Sequence, residues 1–181
     1  MSLAVFWESF LSDILIAHMV RRPKQCRKVN AGKIQKSIAD KFPGSHRWVS
    51  IEMPQKPSPE QVERMLDPKG WNITFKSAVD LRERANLWLV ATDAQKFSLN
   101  ADDAAFFDYL IAIRNFLGHR SSAARSTMIG AVAALNPQTS NSELCGAARQ
   151  LGAYLKQATT SGRRVNSISE RVLSVAASLS R

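Results

Sequence analysis

The chain has 181 residues, enough for one domain with an appendage and well above the size at which a hydrophobic core becomes hard to build. Its 45% hydrophobic and 22% charged residues are ordinary for a globule, but 25 Lys and Arg against 15 Asp and Glu leave a net charge of +10 and a pI near 10.1. Two cysteines exclude a disulfide framework and a four-cysteine metal centre, three scattered histidines in no HExxH or CxxC pattern argue against a metal enzyme, and no uninterrupted apolar run is long enough to span a bilayer.

The charge excess favours polyanions, nucleic acid before an anionic membrane, with simple solubility as the plainer account. Cys26 and Cys145 suit a reducing compartment. The apolar opening is interrupted by Glu8 and Asp13 and has no basic residue before it, so it does not read as a secretory leader. The expected location is cytoplasmic, with no cofactor and no membrane association.

Leu3 to Arg21 reads as the first helix. Phe6, Trp7, Phe10, Leu11, Ile14, Leu15 and Ala17 cover most of its circumference, which predicts burial on nearly all sides. Glu8, Ser9, Ser12 and Asp13 form its one polar strip, His18 is expected as a core or capping histidine, and Pro23 ends the helix after Arg21 and Arg22. Residues 21–41 are the densest positive run, with Arg21, Arg22, Lys24, Arg27, Lys28, Lys33, Lys36 and Lys41 and no acid before Asp40. The spacing predicts a helix over Ala31 to Lys41 with Ile34 and Ile38 inward. This run either guides a phosphate backbone, through Arg21, Arg22, Lys24, Arg27 and Lys28 above all, or is a solvated face.

Residues 42–70 are irregular and Pro-rich, with one short helix over Ser58 to Leu66: Ser58 caps it, Pro59 takes the first position and Gln61 completes a capping box. Trp48 and Trp71 are expected to pin this loop to the body, although the cluster His46-Arg47-Trp48 keeps a base-stacking role open; His46 is expected at the surface. A helix is predicted from Lys76 to Ala91 with Val79, Leu81, Leu87, Trp88 and Val90 for packing, then a connector from Thr92 to Leu99.

Asn100-Ala101-Asp102-Asp103 is a helix start, with Asn100 able to cap free N–H groups and two acids suiting the positive end of the dipole. Phe106, Leu110, Ile113 and Leu117 recur at intervals of four, three and four and form one buried stripe. Asp108, Asn115 and His119 fall within about 40° of one another on a second face, whereas Arg114 and His119, five residues apart, stand about 140° apart in an ideal helix. Either the helix breaks near Gly118, or Arg114 meets His119 of a second copy across a two-fold axis.

The run Arg114-Asn115-Phe116-Leu117-Gly118-His119, at the end of a long apolar helix, resembles the Arg, polar residue, three further residues, His signature of HEPN domains, an α-helical family named for nucleotide binding in prokaryotes and higher eukaryotes. Phe6-Trp7-Glu8-Ser9-Phe10-Leu11-Ser12-Asp13 resembles the first helix of its ribonuclease-L-like branch, and the likeness covers roughly residues 1 to 135. The expected fold is therefore all-α, a HEPN-type bundle over residues 1–137 with an irregular Pro-rich loop and a C-terminal helical extension over 138–181. Within the domain a helix from Ser121 to Leu135 follows His119, and for the extension the sequence predicts helices from Glu143 to Gln157 and Arg163 to Leu179, the last with Val165, Ile168, Val172, Val175 and Leu179 at helical spacing and free to dock on the body or on a partner. No strand-like alternation is present.

RNA carries its own nucleophile, the 2′-OH. Histidine suits both proton transfers of its cleavage, and an arginine fork suits the charge growing on the phosphate. The resemblance implies the same assignment, with Arg114 and His119 catalytic in a dimeric, metal-independent endoribonuclease that leaves a 2′,3′-cyclic phosphate. Asn115 is placed to orient the imidazole or bind the phosphate, Asp108 shares its face, Glu8 or Asp13 fills the place of an acid found on the family's first helix, and Arg120 adds a phosphate contact. A toxin of a toxin–antitoxin pair or a phage-defence effector, with an antitoxin or regulatory protein as partner, follows from the resemblance. The competing expectation is a non-catalytic module binding nucleic acid, nucleotide or a partner protein.

Overall fold

The computed structural model describes residues 3–135, 151–159 and 162–180. The fold is all-α. Nine α-helices lie among the described residues: α1 (Leu3–Arg21), α2 (Lys24–Lys41), α3 (Pro59–Leu66), α4 (Ala78–Trp88), α5 (Ala91–Ala94), α6 (Ala101–His119), α7 (Ser122–Leu135), α8 (Leu151–Lys156) and α9 (Arg164–Leu179). A two-residue antiparallel pair, β1 (Ala158–Thr159) with β2 (Gly162–Arg163), was not anticipated and sits where the sequence suggested only a separator between helices. The chain forms two compact units. One holds the start of α1 through Trp7, Phe75–Asp80 and the chain from Leu99 onward; the other holds Glu8–Thr74 and Leu81–Ser98.

In the first unit α6 packs along α7, burying Phe106, Phe107, Tyr109, Leu110, Ile111, Ala112 and Ile113 together with Met128 and Val132. Trp7 meets Phe107 edge-on at 6.4 Å between ring centroids, and Phe106 lies against Tyr109 at 6.3 Å. The expected spacing in α9 is realised in Ile168, Val172, Val175 and Leu179, all buried, while Val165 is exposed. The helix docks on the body: the Arg171 guanidinium lies 4.8 Å from the Phe106 ring centre and 3.5 Å from an Asp103 carboxylate oxygen. Arg164 stacks on Tyr154 of α8 at 3.8 Å. The remainder of the helix predicted from Glu143, and the boundary at 137/138, lie outside the described residues.

In the second unit Leu11, Leu15 and Met19 of α1, Cys26 of α2, Val62 of α3, Leu81, Ala85 and Trp88 of α4 and Phe97 form the core. α1 is less enclosed than its composition suggests, since Phe6 is 57% exposed and Ala17 faces solvent, and its supposed polar strip is split. Glu8 is buried, and the Ser12 hydroxyl donates to the carbonyl oxygens of Glu8 and Ile73 at 3.0 and 3.1 Å. α2 begins at Lys24, seven residues before the expected start: the chain re-enters the helix as soon as Pro23, φ −75°, has ended α1, and the Arg27 N–H donates to the Pro23 carbonyl at 2.9 Å. Ile34 faces outward and Ile38 is half-buried, so the expected inward pair is not realised. α3 has the anticipated box: the Gln61 N–H donates to Ser58 Oγ at 3.3 Å and the Ser58 N–H donates to Gln61 Oε1 at 2.9 Å. Trp48 and Trp71 do not pin the loop; they are 88% and 73% exposed. α4 is shorter than expected at both ends and leaves Val79 and Leu87 exposed, and the supposed connector is helical, with α5 and a single 3₁₀ turn, Gln95–Phe97.

Candidate active site on helix α6

Asn100 Oδ1 accepts from the Asp103 N–H at 2.8 Å, which fixes the start of α6, and Asp102 and Asp103 occupy its first turn. From Phe106 to Ile113 every residue except Asp108 is buried. Burial then decays along the axis: Arg114, Asn115 and Phe116 are half-buried and Leu117, Gly118, His119 and Arg120 are exposed. The apolar stripe therefore ends one step early, with Leu117 48% exposed. The helix runs unbroken through Gly118 to His119, so a break there does not bring Arg114 to His119. It stops at Arg120, which takes the left-handed conformation (φ 48°, ψ 21°) and donates its N–H to the Phe116 carbonyl at 2.9 Å.

Arg114 Nη1 donates to Asn115 Oδ1 at 2.9 Å. The flexible arginine thus reaches round the helix to its neighbour, and Asn115 presents a guanidinium beside its amide. Asp108 and Asn115 do share a face. Both line a groove of about 560 Å³ between α6 and α7, with Lys76, Ser77 and Thr127 as its other polar residues and Ala112, Gly130 and Ala131 on its walls. Neither Arg114 nor His119 is in that lining. Asp108 is also committed to structure: its Oδ1 accepts the Ala78 N–H at 2.7 Å, and with Ser77 Oγ accepting the Asp80 N–H at 3.1 Å it caps α4.

The remaining expected site residues belong to the second unit. Glu8 is buried; Asp13 is exposed and lines a separate groove with Glu60, Glu63 and Arg21. Arg21 and Arg22 converge on Asp93 at 3.3 and 3.6 Å, Arg22 donates to Thr92 Oγ1 at 2.9 Å, and Arg27 donates to Gln55 Oε1 at 2.7 Å and to the Met53 carbonyl at 3.0 Å. These three arginines, expected to bind phosphate, thus have protein acceptors, whereas Lys24 and Lys28 are exposed. The side chain of His46 lies outside the described ones.

One polar cluster was missed by sequence reasoning. Asp93, 2% exposed, sits against His18, with Nδ1 and Oδ2 3.4 Å apart, an ion-pair distance whose angles do not make a hydrogen bond. Arg21 Nη2 reaches the same Nδ1 at 3.3 Å, and Phe97 meets the imidazole edge-on at 5.8 Å. Burial pushes the His18 pKa below its ordinary value, against the opposing pull of Asp93. The available signal was Asp93 itself, the single acid in the apolar stretch from Leu87 to Phe97.

Among the described residues, no group of three His, Cys, Asp or Glu gathers as a metal site and no helix is long and apolar enough to cross a membrane. No family model, no curated protein and no solved structure matches the chain.

Proposed function

We propose that this chain is a metal-independent endoribonuclease of HEPN type, with Arg114 and His119 as its catalytic residues. The observation that carries the reading is the way α6 leaves its core: a helix buried through Ile113 ends in two turns of falling burial that carry Arg114, Asn115, His119 and Arg120, the last two exposed. In a protein of charge +10, such an end suits a polyanion.

The chemistry needs two proton transfers. An imidazole takes the proton of the 2′-OH as its oxygen bonds to phosphorus; the bond from phosphorus to the 5′ oxygen breaks, and a second group protonates that oxygen. The products are a 2′,3′-cyclic phosphate and a 5′-OH. Each chain supplies one His119, so in a two-fold pair each of two sites joins His119 of one copy, as the base, to Arg114 of the other, which holds the phosphate oxygens by a charge-assisted fork and is itself held by Asn115, while solvent water serves as the second group. The partly bared Leu117 gives such a pair an apolar contact beside the catalytic turn.

The test is incubation of purified protein with labelled single-stranded RNA in EDTA beside His119→Ala. Wild-type protein is expected to yield cyclic phosphate ends, with the rate falling about a hundredfold or more in the variant. Intact RNA across several substrates, total cellular RNA included, overturns the reading. A second reading, a non-catalytic module, is favoured by one observation: the exposed lysines of α2 belong to the unit that does not contain Arg114 and His119. A toxin or defence role, with a regulatory partner, belongs to the endoribonuclease reading.

A further inference from the structure

The turn that follows α2 holds two aromatic rings in water. Phe42 is 62% and Trp48 88% exposed, with Val49 exposed beside them. Their backbone is fixed: the Phe42 N–H donates to the Ile38 carbonyl at 2.8 Å, the Ser45 N–H to the Phe42 carbonyl at 3.1 Å, and the Trp48 N–H to the Ser45 carbonyl at 3.0 Å. Gly44 makes the reversal possible at φ 88°, a conformation other residues rarely adopt. The turn folds back on α2. An indole and a phenyl ring displayed on hydrogen-bonded backbone forgo the burial that would otherwise stabilise them, which is the pattern of a contact surface.

The chain that leads into them is strongly basic. From Arg21 to Trp48 the only acid is Asp40, and Lys24, Lys28, Lys36, Lys41 and Arg47 are exposed. Lys33 is exposed too, but its ammonium lies 4.1 Å from the Trp88 ring centre, where partial desolvation lowers its pKa. Flat rings set in a basic surface match a strand whose phosphates run past the lysines while its unpaired bases stack on the rings. A duplex keeps its base faces within its own stack. A lipid surface is the weaker match, because the exposed apolar groups of this turn are rings and one valine rather than the long aliphatic face of an interfacial helix.

We propose that the Phe42–Trp48 turn and the exposed lysines of α2 form a stacking platform for single-stranded nucleic acid. The platform goes beyond the endoribonuclease reading and requires no cleavage, though it gives that reaction a substrate class, unpaired RNA. Fluorescein-labelled oligouridylate is titrated by anisotropy against full-length protein in the His119→Ala background with EDTA, so that binding is read apart from cutting. Trp48→Ala and Phe42→Ala, both at exposed positions and checked for unchanged circular dichroism, are each expected to weaken binding about tenfold. Trp48→Tyr is expected to retain most of the affinity, and the same RNA in a duplex to bind more weakly than the single strand. Unchanged affinity in Trp48→Ala overturns the proposal. So does loss of binding to phosphatidylserine vesicles in that variant while oligouridylate binding stays the same, which assigns the turn to a membrane surface. Absence of cleavage by the wild-type protein, with intact, Trp48-dependent binding, leaves the platform standing and rejects only the nuclease.

Discussion

Burial strips water from His18, and Lys96 and Arg21 add positive charge near it; together these outweigh the attraction of Asp93, so the folded protein binds the His18 proton less readily than the unfolded chain does. The sign follows from linkage. The contribution to stability is complete above the ordinary value of 6.5 and is lost as pH falls below it toward the lower folded pKa. Two charged groups flank Nδ1: neutral His18 can accept there from Arg21, and protonated His18 loses that acceptor role while facing the Asp93 carboxylate at 3.4 Å. The melting temperature is expected to decline between about pH 7 and pH 5, and His18→Gln, which does not titrate, is expected to flatten that part of the curve. An identical slope in the variant assigns the decline to other groups. The histidine's burial was legible in the apolar helix around it. Its partner was not, because Asp93 is 75 residues away in sequence and nothing local links the two.

Helix ends show the same divide between local and distant causes. Ser58 with Gln61, and Asn100 with Asp103, were readable because each cap is closed by residues three apart. The start of α2 was not, since Lys24 to Asn30 carries no apolar period and the helix there is set by Pro23 and by what α2 packs against. The start of α4 depends on another helix altogether, because Asp108 of α6 supplies the acceptor for the Ala78 N–H. Asp108→Ala is expected to leave that donor unsatisfied and to lower the unfolding free energy by about 1–2 kcal/mol, read by chemical denaturation. A change well below that range would mean that Ser77 holds the end of α4 unaided. The exposed tryptophans were misjudged for a related reason: a tryptophan's composition argues for burial, and only the surrounding structure decides whether a surface exists to bury it.

At the scale of the whole molecule, the two units interleave along the chain, with residues up to Trp7 and Phe75–Asp80 joining the segment from Leu99 onward, a division that no linker or shift in composition announces. The candidate site was more legible than the units because its proposed residues from Arg114 to His119 lie within one helix and periodicity gives their relative angles. Those angles lead to the last prediction. In an unbroken α6 the side chains of Arg114 and His119 leave the axis about 140° apart, which favours a site built from Arg114 of one copy and His119 of the other. Arg114→Ala and His119→Ala are then each inactive alone, but a mixed dimer keeps one intact Arg–His pair and one doubly disabled one. Co-refolding equal amounts is expected to restore about a quarter of wild-type cleavage, since half the dimers are mixed and each has one working site of two. A site contained within each protomer restores nothing, because every mixed dimer then holds two broken sites. Recovery therefore measures directly whether two copies of the helix share one reaction centre.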